Sequence, residues 1–294
     1  MVLALVLGIG GVLGHAKPIL AHGVVLLAAQ PKGACVGEPG YASAVRANED
    51  SLAFMSWEPF RRGERGWQIY APLIARQIGT TCPPTSANFA RALAVWQRIQ
   101  GAPADGVLTA AQAEALLHAW QSRRGAMAPR GVCPDPAPPA ALIDAHIDEG
   151  YLGKRVQMRA QTLAAYRALL AAARREVAAV NVNRQTLTIF SAYRSPEYDE
   201  ARCESDGRCN GIDRAACSRH RTGLALDLNL GAASGYGVDS TADANRLFQT
   251  RTRAYVWLVY NADRFGFVNY AYEPWHWEWA SDVAMRRRVG AATP

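Results

Sequence analysis

Lysine is nearly missing from this 294-residue chain: only Lys17, Lys32 and Lys154 occur, so almost all positive charge is arginine. The 32 basic residues exceed the 25 acidic ones, a formal net charge of +7. With alanine so abundant, this reads as codon bias rather than as an arginine recognition surface. The basic residues are scattered, with short runs at Arg61-Arg62, Arg123-Arg124, Arg174-Arg175 and Arg286-Arg287-Arg288. A nucleic-acid binder concentrates them on one face or tail, so no nucleic-acid partner is expected. No long apolar run follows about residue 30, which excludes a multi-span membrane protein. None of the six cysteines forms a C-x-x-C pair, which argues against a thiolate zinc site or a thioredoxin-type redox centre. Long internal repeats are lacking too. At 50% hydrophobic and 19% charged residues, the chain carries enough apolar material for real cores and too little charge for disorder.

Two short apolar runs, Val2 to Leu13 and Pro18 to Ala29, open the chain, the second between Lys17 and Gln30-Pro31-Lys32. A basic residue, an apolar stretch and small residues at its end resemble a secretory signal; an uncleaved anchor is the alternative. Residues 1–34 are therefore expected to be a signal peptide or N-terminal anchor, and the protein to be exported to the periplasm or cell envelope. Cysteines Cys35, Cys82, Cys133, Cys203, Cys209 and Cys217, an even count behind an export signal, imply disulfides. Three precede residue 140 and three follow it. If all pair within the chain, an odd number of bridges joins the halves; the spacing leaves the pairing open.

The proline-rich stretch around Cys133-Pro134-Asp135-Pro136 reads as a linker over residues 124–140. Before it, residues 57–123 form a small all-α domain. Apolar residues from Trp67 to Ile78 fall near helical spacing and stop at Gly79. Ser86 can cap a second helix through Gln100, and Thr109 a third that points Leu116, Leu117 and Trp120 inward. The string from Phe89 to Leu117, with Trp96-Gln97, Asp105-Gly106 and Thr109 as its marks, resembles the three-helix peptidoglycan-binding repeat. That resemblance implies that the module holds the protein on cell-wall polymer.

Residues 141–290 read as an α+β domain, helices on a small antiparallel sheet. Lys154 to Val180 is an alanine-rich helix, Leu187 to Phe190 a strand, then a loop with three cysteines. Leu224 to Leu230 is a strand, Ala242 to Arg264 a helix, and Trp275 to Trp279 a last strand. Along the Leu224 strand the leucines share one face, and Ala225, Asp227 and Asn229 the other. Gly223 permits a sharp turn that can fold His220 back beside Asp227. On the last strand His276 and Glu278 share a face, the three tryptophans the other. Pro274 pushes Glu273 into an extended conformation. Zinc takes imidazole and carboxylate donors, and a catalytic site keeps three protein ligands and one open position. His220, Asp227 and His276 make such a set, with a nearby carboxylate as base. His118 and His146 read as surface or packing residues.

These segments carry a second resemblance. S-x-H-x-x-G-x-A-x-D is matched by Ser218, His220, Gly223, Ala225 and Asp227, E-P-W-H-W-E by Glu273 to Glu278, and S-x-Y-R-S by Ser191 to Ser195. Together they resemble the VanY/VanX-type zinc D-Ala-D-Ala peptidases, relatives of the L-alanyl-D-glutamate endopeptidases. The resemblance implies zinc on His220, Asp227 and His276. It implies Glu273 as general base, Arg194 as carbonyl and oxyanion stabiliser, and Ser218 as a substrate contact. The Cys203–Cys217 loop lies outside the pattern. The expected function is an exported, monomeric zinc metallopeptidase acting on peptidoglycan stem peptides, as a D-alanyl-D-alanine carboxypeptidase. The alternatives are an L-alanyl-D-glutamate endopeptidase and a non-catalytic peptidoglycan-binding protein.

Overall fold

The computed structural model describes residues 35–36, 39–124, 133–207 and 218–280. The expected signal or anchor, Cys209, Cys217, the arginine run at 286–288 and residues 125–132 of the expected linker lie outside the described residues.

The helical region begins before Trp57. Helix α1 (Ala42–Phe54) leads into a two-stranded ribbon of β1 (Ser56–Trp57) and β2 (Glu64–Arg65), then α2 (Ala71–Gln77), α3 (Ala87–Ile99) and α4 (Ala110–Gln121). The expected caps are in place. Ser86 accepts from the Phe89 N–H at 3.2 Å, and Thr109 forms a reciprocal capping box with Gln112, satisfying first-turn donors that have no partner within the helix. Buried Asn48 of α1 bonds both Gly106 O and Leu108 N, each at 2.9 Å, so α1 anchors the Asp105-Gly106 turn.

In the second half, β3 (Leu142–Asp144) pairs antiparallel with β4 (Gln157–Arg159), and α5 (Ala160–Glu176) and α6 (Ala178–Val182) follow. The helix expected from Lys154 thus starts six residues later. Pairing with β3, and an Arg159 N–H bond to Gly223 O at 3.1 Å, hold residues 157–159 extended against their helix propensity. Strands β5 (Ile189–Ser191), β6 (Ala225–Leu228), β7 (Phe267–Asn269) and β8 (His276–Trp279) make a four-stranded antiparallel sheet in the order β5-β6-β8-β7. Helix α7 (Pro196–Asp206) follows β5, where a loop was expected. The single helix expected over Ala242 to Arg264 is two, α8 (Asp243–Thr250) and α9 (Arg253–Asn261). Thr252 breaks it by capping α9, its hydroxyl accepting from Tyr255 N at 3.1 Å.

One continuous cluster of buried apolar side chains runs from Trp57 in the helical region to Trp277 and Ala280 at the end of the sheet. The two halves also share polar contacts. Trp120 Nε1 donates to Asn269 O at 3.0 Å, Tyr260 OH to Thr80 O at 2.6 Å, and Arg76 pairs with Asp263 at 3.1 Å. At the centre of the seam Arg246 is fully buried. It pairs with Glu64 at 3.1 Å, donates to Tyr70 OH and to Tyr272 O, and lies 4.1 Å from the Tyr272 ring centroid. Arg246→Met would leave buried Glu64 without its cation. Breaking such a pair from one side costs about 3–5 kcal/mol, so the denaturant midpoint should fall well below that of the unaltered protein; an unchanged midpoint would remove this ion pair from the stabilising contacts.

Disulfides join distant segments. Cys35 and Cys82 are bonded, and Cys133 and Cys203 are disulfide-bonded as well. With Cys35 and Cys82 paired, every partner left in the chain for Cys133 lies beyond residue 200, consistent with an odd number of bridges between the halves.

Candidate metal centre

Two backbone devices bring the donors together. Ser218 caps a short 3₁₀ turn, Arg219–Thr222, its hydroxyl accepting from His220 N at 3.2 Å. Gly223 ends the turn at φ +67°, and a Cβ there would stand 3.0 Å from Leu142 Cδ2 and 3.3 Å from Arg159 N. Only glycine takes this left-handed conformation and close approach without strain, and the reversal sends His220 back over β6. Strand register does the rest: Asp227 on β6 stands directly opposite His276 on β8. Alternation along β8 then sends Trp277 into the core and keeps His276 and Glu278 on the site face.

His220, Asp227 and His276 are all buried, and their donor atoms form a group that could hold a metal ion. His220 Nε2 lies 3.1 Å from Asp227 Oδ1 and 3.2 Å from His276 Nδ1, and His276 Nδ1 lies 2.9 Å from Asp227 Oδ1. Tetrahedral zinc with bonds of about 2.0–2.1 Å sets its ligand atoms about 3.3 Å apart, close to this triangle.

The outer bonds of the two rings settle which nitrogens face inward. His220 Nδ1 lies 2.6 Å from Ala192 O, which can only accept, so Nδ1 carries hydrogen and the Nε2 lone pair points at Asp227. His276 Nε2 lies 3.2 Å from Glu278 Oε1, which Arg124 holds by an ion pair. That carboxylate takes the Nε2 hydrogen and turns Nδ1 inward. Two imidazole lone pairs and a carboxylate oxygen thus converge, an arrangement that needs a cation at its centre and whose chemistry suits zinc. The electrostatics agree. Burial and the Arg194 charge push the His220 pKa down to about 4, keeping the ring neutral. Burial would also lower the pKa of His276, but hydrogen bonds to Asp227 and Glu278 override it and raise the value to about 9.

Glu273 and Glu278 occupy different positions. Glu273 Oε2 lies 3.9 Å from His276 Nδ1, on the donor side, with its side chain 15% exposed. Glu278 is nearly inaccessible and grips the far side of the ring. Burial alone would raise its pKa; the Arg124 guanidinium and the His276 hydrogen bond hold it far below the usual carboxylate range.

Arg194 is braced beside the donors. Its Nε donates to Asp199 Oδ1 at 2.7 Å, Nη1 to Ser191 Oγ at 2.8 Å and Nη2 to Ser218 Oγ at 2.9 Å, with Nη1 3.7 Å from Asp227 Oδ2. Ser191, Arg194 and Ser218 are therefore one linked group, and Ser218 both caps the His220 turn and steadies the guanidinium. Sequence reasoning missed Asp199, which is 3% exposed. The available signal was Ser195-Pro196, a cap followed by proline at a helix start, which places Asp199 in the first turn of α7. It missed Arg124 as well, whose link to Glu278 crosses 154 positions. His118 and His146 lie exposed and away from the site.

A family model described as VanY: D-alanyl-D-alanine carboxypeptidase matches residues 155–282. No curated protein matches the chain. Among solved structures, the LdcB LD-carboxypeptidase shares 18% identity and a TM-score of 0.36, over 52% of this chain and 74% of that one. A vancomycin resistance D,D-pentapeptidase, VanY, solved with Zn(II), shares 22% identity and a TM-score of 0.30, over 51% of this chain and 86% of that one. Over residues 155–282 the chain is similar to the VanY D-alanyl-D-alanine carboxypeptidase family, and His220, Asp227, His276, Glu273 and Arg194 all fall inside that segment.

Proposed function

We propose that this protein is a zinc-dependent D-alanyl-D-alanine carboxypeptidase that trims peptidoglycan stem peptides in the cell envelope. The observation that carries the reading is the triangle of His220 Nε2, Asp227 Oδ1 and His276 Nδ1, with Glu273 leaning over its donor side, inside a segment matched by a D-alanyl-D-alanine carboxypeptidase family.

In this reading His220, Asp227 and His276 hold the zinc. When bound, zinc lowers the pKa of an attacking water and polarises the scissile carbonyl. Glu273 takes a proton from that water and delivers it to the leaving amine, a carboxylate and then an acid in one turnover. Arg194, fixed by Asp199, Ser191 and Ser218, directs its charge to the carbonyl oxygen as negative charge grows there. One preorganised donor of this kind is worth about 3–4 kcal/mol in the transition state. Ser218 already accepts two hydrogen bonds, and a hydroxyl also has one hydrogen to donate, which is what it would offer to substrate. The resemblance of Phe89 to Leu117 to a peptidoglycan-binding repeat supports a further role for the helical region in holding the enzyme on the polymer, and the apolar N-terminus supports export.

Digestion of defined stem peptides, read by mass spectrometry, tests the reading. The pentapeptide ending in D-Ala-D-Ala should lose one alanine, and the tetrapeptide product should persist. Cleavage between L-Ala and D-Glu would replace the carboxypeptidase assignment with the endopeptidase one, and no cleavage by zinc-loaded protein would leave a binding protein.

A further inference from the structure

The helical region reaches into the metal centre. Arg124 lies just beyond the end of α4, outside the family-matched segment 155–282. Its Nη2 donates to Glu278 Oε1, and its Nη1 to Gln121 Oε1 at 2.9 Å. The guanidinium carbon sits 4.4 Å from the Tyr270 ring centroid, and that ring meets the His276 imidazole edge-on at 6.1 Å. Glu278 accepts from His276 Nε2 on the other flank. One cation thus contacts both groups that bracket the His276 ring. The pair is enclosed, with the Arg124 side chain 11% and that of Glu278 5% exposed, so solvent screens it little.

The consequence for the metal is geometric. A ligating imidazole is oriented by what its outer nitrogen donates to. Here that acceptor is Glu278, and the cation that keeps its carboxylate in place comes from a different part of the chain. We propose that Arg124 is a positioning residue for the metal centre, acting through Glu278 on His276, so that the helical region completes the site as well as adjoining it. This rests on the reading of His220, Asp227 and His276 as zinc ligands.

The test is zinc affinity of the full-length protein, stripped of metal and titrated in competition with a chelator of known affinity. The unaltered protein comes first: failure to bind zinc would overturn the site assignment itself. Given binding, Arg124→Met should weaken zinc by about 10–100-fold, the usual effect of losing an outer partner of a ligand. An affinity within about threefold of the unaltered protein would overturn the inference while leaving the site assignment standing. A role confined to stability would lower the unfolding midpoint without moving the affinity of the folded protein. If Arg124→Met does not fold, Glu278→Gln and the double variant Arg124→Met/Glu278→Gln decide, because the double variant buries no unpaired carboxylate. Residues acting in one chain are non-additive, so these two should bind zinc equally within about threefold. A further loss of about tenfold or more in the double variant would show that Arg124 does not act through Glu278.

Discussion

His276→Ala is expected to abolish turnover and stoichiometric zinc together. A zinc site of the catalytic kind is held by three protein ligands, and this variant leaves His220 and Asp227 alone. The loss should be specific, because the backbone at position 276 carries the local architecture. Its N–H bonds Glu273 O at 3.0 Å, and its carbonyl accepts from Tyr270 N at 3.0 Å and from Asn269 Nδ2 at 2.8 Å. Alanine keeps all three bonds. The Arg124–Glu278 pair also survives the substitution. Metal analysis after dialysis, with an unfolding curve of the zinc-free protein, checks the expectation. A folded variant with full zinc content would remove His276 from the ligand set.

What could be read in advance depended on how local its cause was. The leucine alternation that sends Asp227 to one face of β6, and the glycine that turns His220 back toward it, lie within a dozen residues and were legible. So were the Ser86 and Thr109 caps, since each cap hydroxyl and the N–H that donates to it sit three residues apart. Register was not: Asp227 and His276 face each other across 49 positions, and alternation says only which face each residue takes. The family resemblance implies that His220, Asp227 and His276 share a metal, but it does not say that their strands pair. Residues 157–159 misled the reading because their own preference is helical, while pairing with Leu142–Asp144 makes them a strand. The helix expected across Ala242 to Arg264 breaks at Thr252, a residue that caps better than it propagates. Arg124 and Arg246 were invisible for a different reason: a buried guanidinium and an exposed one look alike in a chain with so many scattered arginines. Their partners, Glu278 and Glu64, identify them only once the two halves are packed.

Glu273→Gln is expected to cut turnover by about 10²–10⁴, the usual worth of a general base, with zinc still bound. Glutamine keeps the size and hydrogen-bonding reach of the side chain and removes its basic oxygen. The position favours Glu273 for this role. Held by a Glu273 N–H bond to Tyr270 O at 2.9 Å, it sets its carboxylate 3.9 Å from the inward nitrogen of His276. Glu278 has the opposite qualifications. Its carboxylate faces the outer nitrogen of the same ring, lies out of reach of solvent, and is held far too acidic by Arg124 to accept a proton near neutral pH. A base works best with a pKa near the operating pH. Glu278→Gln should instead weaken zinc by about 10–100-fold, as loss of an outer-partner charge does, and recover most of its turnover when zinc is supplied in excess. Turnover at saturating zinc and zinc affinity, measured for both variants, separate the roles. A zinc-loaded, inactive Glu278→Gln beside an active Glu273→Gln would exchange the two assignments and place the proton transfer on the far side of His276.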